Sequence, residues 1–180
     1  TNEDPIKVIK KMKQTDNFKF DEANIMNELV YRNLSEDAKR QICAWKYGGE
    51  YDLYNLPAYE EMQVRQIGFM NPQREKNYYG FWDESILVGF VNILEEKEEV
   101  FIGIGVNPDL CNKHYGQRML LITYEISKKL YPDKPLYLEV RTWNIRAVKC
   151  YQKAGFRIDG QAYELTTGIG TGTFYRMIRE

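Results

Sequence analysis

Histidine is almost missing from this chain: His114 is the only one in 180 residues. One imidazole in a polar loop gives no Ser/His/Asp relay to argue for, and no imidazole-based metal site. Cysteine is scarce as well. Cys43, Cys111 and Cys150 are odd in number and lack metal-ligand spacing, which excludes a disulfide framework and implies a reducing compartment, hence the cytoplasm. Cys43 and Cys150 fall in amphipathic helical patterns and read as packing, whereas Cys111 falls in a loop. No apolar run approaches the ~20 residues that span a bilayer, and the polar first residues show no signal-peptide pattern, so no membrane partner is expected. An excess of one charge is missing too. With 25 Lys and Arg against 26 Asp and Glu, the formal net charge is -1, which argues against nucleic acid as a partner. Lys7, Lys10, Lys11 and Lys13 are flanked by Glu3, Asp4 and Asp16 and read as a solvated helix face. Internal repeats and low-complexity segments are absent.

What is present suits one domain with a core of its own. Residues 4–14 read as a short helix and 1–24 as an extension before a domain over 25–180. Leu29 to Leu34 reads as a strand, and Ser35 caps a helix running toward Trp45. Residues 48–62 read as a loop and a second short helix. Asn77–Asp83 and Ile86–Leu94 form a hairpin about the turn Asp83-Glu84-Ser85. After Phe156, strands are expected near 156–164 and 173–179, with Gly168, Gly170 and Gly172 making a flexible connection.

Two stretches carry the chemistry. In the first, a strand-forming run from Pro135 to Trp143 leads into a helix capped by Asn144 and stopped by Gly155. Ala147, Tyr151 and Ala154 share one face of that helix at spacings of four and three, so a small residue admits close approach and a phenol points the same way. In the second, a strand from Val100 to Val106 is broken by Asn107-Pro108-Asp109. A polar loop, Cys111 to Gly116, then opens a helix with Met119, Ile122, Ile126 and Leu130 on one face. A strand feeding a tight loop and a helix N-terminus presents outward amides and a positive dipole end, which together suit an anion. Lys113 and Arg118 add charge there.

Together these residues resemble the GNAT family of acetyl-CoA-dependent N-acyltransferases. The family's pyrophosphate loop, Arg/Gln-x-x-Gly-x-Gly/Ala, aligns with Cys111-Asn112-Lys113-His114-Tyr115-Gly116, and Val106-Asn107-Pro108 matches the Val-x-Pro that ends the family's fourth strand. Asn144, Ala147, Tyr151, Gly155 and Phe156 match the second motif at every named position. The resemblance is strong over residues 77–160. Cys111 and His114 depart from the pattern, which asks for Arg or Gln and for a glycine. His enters left-handed backbone geometry more readily than most residues and can donate to a phosphate.

The resemblance implies an α/β (α+β) fold, a mixed, largely antiparallel twisted sheet flanked by helices. It also implies acetyl transfer from acetyl-CoA to a primary amine of a small molecule or peptide, without metal, in a monomer or homodimer. The cosubstrate would be held by Ile104, Val106, the loop from Cys111 to Gln117 (Asn112, Lys113, His114, Tyr115 and Gly116 included), Asn144, Ala147 and Tyr151. A backbone N–H near Val106 suits the oxyanion. Tyr151 is the expected acid toward the CoA thiolate. A phenol near ~10 facing a thiol near ~8.5 makes full transfer uphill by roughly 2 kcal/mol, and a hydrogen bond alone can serve. Glu98 and Glu99 are the nearest carboxylates for a base on the fourth strand. Tyr51, Tyr54 and Tyr163, with the acids Glu50, Asp52, Glu60 and Glu61, suit a cationic acceptor. The alternative reading, from Cys111 and His114, is a non-catalytic acyl-CoA-binding or partner-binding module on the same scaffold.

Overall fold

A computed structural model describes residues 28–180. The expected helix over 4–14 and the boundary near residue 25 lie outside the described residues. Eight strands form one sheet: β1 (Val30–Asn33), β2 (Tyr78–Asp83), β3 (Ile86–Glu95), β4 (Val100–Val106), β5 (Leu136–Arg141), β6 (Arg157–Ile158), β7 (Tyr163–Thr167) and β8 (Gly170–Arg179). Four α-helices accompany them among the described residues: α1 (Glu36–Ala44), α2 (Tyr59–Arg65), α3 (Tyr115–Leu130) and α4 (Ile145–Lys153). The strand order is β1-β2-β3-β4-β5-β8-β6, with β7 also paired to β8. Every pairing is antiparallel except β4 with β5.

Residues of β2 and β3 divide between two cores, and a register shift at Phe81/Trp82, which leaves Val88 without a partner on β2, resets the alternation along β3. Phe81, Val88, Val91 and Ile93 join β4, β5, α3 and α4 in the larger cluster, with Ile102, Met119, Leu120, Leu138 and Met177. Trp82, Leu87 and Phe90 face the other way, toward Ile42, Met62 and Phe69 beneath α1 and α2. Helix α3 buries Met119 and Ile126 as its periodicity predicts, but Leu130 stays exposed where the last turn runs past the sheet edge.

The C-terminal region differs from expectation. Three strands stand where two were read, and β7 and β8 form a tight hairpin in which Thr167 faces Gly170. Gly170 has φ 106, and its left-handed conformation makes the turn. Gly172 lies inside β8. The glycines thus serve a hairpin and a close packing contact, not a flexible connection.

Candidate active site

The parallel ladder between β4 and β5 is short. Val100 faces Leu136 and Phe101 faces Tyr137, and the pairing then stops. Strand β4 stays in unbroken register with β3 from Glu95↔Val100 to Gly89↔Val106, so no bulge on β4 opens the gap. A cavity of ≈ 680 Å³ fills the opening, lined by Ile102 to Val106 on one side and Leu138 to Arg141 on the other.

Hydrogen bonding fixes which way the β4 backbone points. Asn107 N donates to Val88 O across β3, while Val100 N donates toward β5, to Pro135 O. Alternation along a strand then turns the amides and carbonyls of Ile102, Ile104 and Val106 into the gap. Val106 O accepts a 2.6 Å bond from Tyr47 Oη. Asn107 secures the bend beyond: its Nδ2 donates to Leu87 O at 3.1 Å, and its Oδ1 accepts from Asp109 N at 3.0 Å.

The loop after that bend reaches α3 through two residues in left-handed geometry, Asn112 at φ 64 and His114 at φ 63. His114 therefore takes the backbone conformation for which glycine is the usual choice. Its imidazole lines the cavity without capping α3. The first-turn amides of α3 have no acceptor within the helix, and this end of the dipole favours negative charge. Cys111, Asn112, Tyr115, Gly116 and Gln117 line the same end, whereas Lys113 does not. Tyr115 Oη anchors the loop on Asp83 at 2.6 Å. At Gly116 a Cβ would lie 3.1 Å from Cys150 Sγ, so the glycine allows α3 and α4 to meet closely.

Helix α4 forms the opposite wall. Asn144, 7% exposed, caps it by accepting from Ala147 N at 3.2 Å and donates from Nδ2 to Tyr54 Oη at 3.2 Å. Gly155, at φ 89, ends it. Ala147 and Tyr151 line the cavity. Burial pushes the Tyr151 phenol far above its ordinary range, with Cys150, Tyr54 and Tyr47 adding to the shift, so it stays protonated at neutral pH. Arg146, Lys149 and Lys153, all exposed, line the outer part of this wall. Tyr51 and Tyr54 cover the mouth from the 3-10 turn Gly49–Tyr54. Their rings pack on Trp143 at 5.6 and 6.1 Å, and the Arg146 guanidinium lies 4.1 Å from the Tyr51 ring.

Some expected residues fall elsewhere. Glu98 is exposed and pairs with Lys97 at 3.8 Å. Glu99 is clamped by Arg176, which donates to both its oxygens. Both belong to the turn before Val100, about 20 Å of strand away from Val106. Of the acids near the mouth, Glu60 pairs with Arg40 at 3.9 Å and Glu61 with Arg65 at 2.9 Å, and neither they nor Glu50 and Asp52 line the cavity. Tyr163 is not a lining residue, but its hydroxyl donates to Glu139, which is. Glu139 is the one carboxylate among the described residues lining the cavity.

Sequence reasoning missed Tyr47, Glu139 and Arg141. Glu139 and Arg141 alternate with buried Leu138 and Val140, a pattern read only as a strand signal. Tyr47 precedes a glycine pair in a loop and gives no signal of its own. Among the described residues no group of three or more His, Cys, Asp or Glu is arranged to hold a metal, and no helix is long and apolar enough to cross a membrane.

The profile of the acetyltransferase (GNAT) family matches residues 40–156. Solved structures share the fold. A spermidine N-acetyltransferase from Vibrio cholerae in complex with CoA and spermine superposes with a TM-score of 0.66 at 17% identity, over 84% of this chain and 94% of that one. An acetyltransferase of the GNAT family from Streptococcus pneumoniae gives 0.61 at 23% identity, over 84% and 98%. One from Bacillus anthracis gives 0.65 at 16%, over 84% and 93%. No curated protein matches this sequence.

Proposed function

This chain belongs to the acetyltransferase (GNAT) family and uses acetyl-CoA to acetylate amines; we propose that its acceptor is the primary amine of a small molecule or peptide, acetylated directly in a ternary complex. The observation that carries this reading is the gap between β4 and β5, with inward-turned backbone on one side and the half-buried Tyr151 phenol on the other. Cavity residues that fit acetyl-CoA are those whose chemistry matches its parts. The α3 N-terminus and the loop from Cys111 to Gln117 suit the pyrophosphate. The Ile104 and Val106 backbone suits the pantetheine amides, and Asn144 and Ala147 suit the arm from the α4 side.

The amine attacks the thioester carbonyl carbon. The Val106 N–H faces the gap, and we assign it to the carbonyl oxygen as that becomes an oxyanion. Glu139, the one lining carboxylate among the described residues, is our candidate to take the proton of the attacking amine, directly or through water, with Tyr163 holding its carboxylate. The C–S bond then breaks, and Tyr151 offers its hydroxyl to the departing thiolate. Because burial raises the phenol further above a thiol, a hydrogen bond serves better than full proton transfer.

A structural relative is described as complexed with spermine. A polyamine suits this cavity poorly: Glu139 is the one lining carboxylate, while Arg141, Arg146, Lys149 and Lys153 line it too. We favour an acceptor with one amine. The non-catalytic alternative rests on Cys111 and His114. The left-handed backbone at His114 weakens it, since the loop keeps the conformation the glycine would supply. Calorimetric titration with acetyl-CoA and with free CoA, followed by thiol release with amines, tests the proposal. Micromolar binding and turnover support it. Binding without turnover on any amine supports the module, and no binding of either ligand removes both readings.

A further inference from the structure

Arg141 is a buried cation without a counter-ion among the described residues. It is 8% exposed, its Nε is inaccessible to solvent, and that atom has no hydrogen-bond partner. Among the described residues no carboxylate pairs with it, and its guanidinium carbon lies 4.9 Å from the centre of the Phe174 ring. The Nε alone is shut off from solvent without a partner, while the two Nη atoms keep access to the cavity, and a guanidinium so held presents its open side to an anion. Arg141 and Phe174 both line the cavity, so the missing anion has a route to it.

The side chain is held for this. Gly172 leaves the space the guanidinium occupies: a Cβ there would overlap Arg141 Nη1. The nearest acid on the same strand face is Glu139, two residues earlier and about 6.7 Å away along the backbone. Glu139 does not neutralise Arg141, because its carboxylate is turned to Tyr163. A negative and a positive side chain therefore stand side by side in one cavity without pairing.

The cosubstrate does not supply the anion. The charges of acetyl-CoA are its phosphates, and these have the α3 N-terminus and the exposed cations Arg146, Lys149 and Lys153 to meet them. Its acyl end, which must reach Tyr151, is uncharged. We infer that the anion is a carboxylate on the acceptor: the acceptor is an amino acid, its carboxylate received by the Arg141 fork and its amine presented toward Glu139. This inference rests on the acetyltransferase reading above and narrows its acceptor.

The test is thiol release from acetyl-CoA with each of the common amino acids and its carboxamide, with spermidine as a further acceptor. Acetyl-CoA binding is measured in parallel by calorimetry. At least one amino acid is expected to exceed its carboxamide tenfold or more in kcat/KM. Arg141→Gln is expected to bring that ratio close to one, through KM, with the Kd for acetyl-CoA unchanged. Arg141→Lys keeps the charge without the planar fork and is expected to fall between the two, which guards against a variant that merely misfolds. Carboxamides turned over as well as the acids overturn the inference, as does an Arg141→Gln variant whose defect lies in acetyl-CoA affinity. Turnover of spermidine alone also overturns it while leaving the acetyltransferase reading intact. Failure to bind acetyl-CoA removes both.

Discussion

Two cations are buried among the described residues, and they are treated in opposite ways. Lys39 on α1 is 3% exposed and carries its partners with it: Nζ lies 2.8 Å from Glu36 and 2.9 Å from Glu75. The Glu75 contact ties α1 to the segment leading into β2, and Glu36 is held again by the Tyr59 hydroxyl from α2. Arg141 is almost as buried and has no acid paired with it among the described residues. The first cation completes the fold from within. The second leaves a charge open at the end of a cavity, and the fold tolerates it because Phe174 and Gly172 hold it still. Burial of charge alone therefore says little about function; the informative quantity is whether the partner belongs to the chain.

The comparison is sharpened most on the cavity side. Tyr151→Phe removes the hydroxyl while keeping the ring, and kcat is expected to fall by about 10²–10³, with the Kd for acetyl-CoA within twofold of the parent. An unchanged kcat in stopped-flow thiol release would sink the role assigned to the phenol. Next in size is Lys39→Met. It leaves Glu36 and Glu75 without their cation, but those side chains are 62% and 56% exposed and regain water. A loss of about 1–3 kcal/mol is expected in urea unfolding, with no change in turnover per folded molecule.

Arg141→Met should behave differently in the same urea experiment. It removes an unpaired charge and a ring contact worth about 0.5–2 kcal/mol, so the two nearly cancel and the unfolding free energy changes by less than about 1 kcal/mol. A loss as large as that of Lys39→Met would mean that Arg141 is structural.

The smallest effect is in pH. Hydrogen bonds from Lys39 and Tyr59 hold the Glu36 carboxyl below its usual 4.5. A carboxyl lowered in the folded state stabilises above its unfolded pKa, and that share is lost as pH falls through the folded value. Lys39 has the reverse sense. Burial pulls its pKa down, but the bonds to Glu36 and Glu75 outweigh this and raise it above 10.5, so its share is present below that value and lost as pH rises past the folded one. Wild type is expected to exceed Glu36→Gln by about 0.5–1 kcal/mol at pH 7, with the gap closing as pH falls below 4.5. A gap that persists at low pH refutes the pairing as its source.

Much of the frame was legible because it depends on local chemistry. Asn144, Ser35 and Gly155 cap their helices as expected, since a cap needs only the right side chain beside the right backbone. The strand, bend and helix from Val100 to Leu130 stand where their pattern put them. The partners of Glu139 and Arg141 were not legible, because they lie across β8 and β7, and register is a property of the folded sheet. Glu98 and Glu99 were read close to the reacting end because they adjoin β4 in sequence. The antiparallel register with β3 sends them to the far end. The C-terminal glycines misled for a related reason. Their spacing suggests looseness, whereas one makes a hairpin turn and another makes room for a guanidinium.

The parting of β4 from β5 also has a meaning for the sheet itself. A strand that loses its neighbour becomes an edge, so this sheet has two extra edges, and both lie inside the molecule. Exposed edges invite other chains to pair with them. Here the helices on one face and the Tyr47–Tyr54 segment across the mouth keep bulky strands out, while a slender chain of amides can thread between. The molecule has in effect reserved one rung of its own ladder for a guest, and the same shielding that admits the guest guards against self-association through these edges.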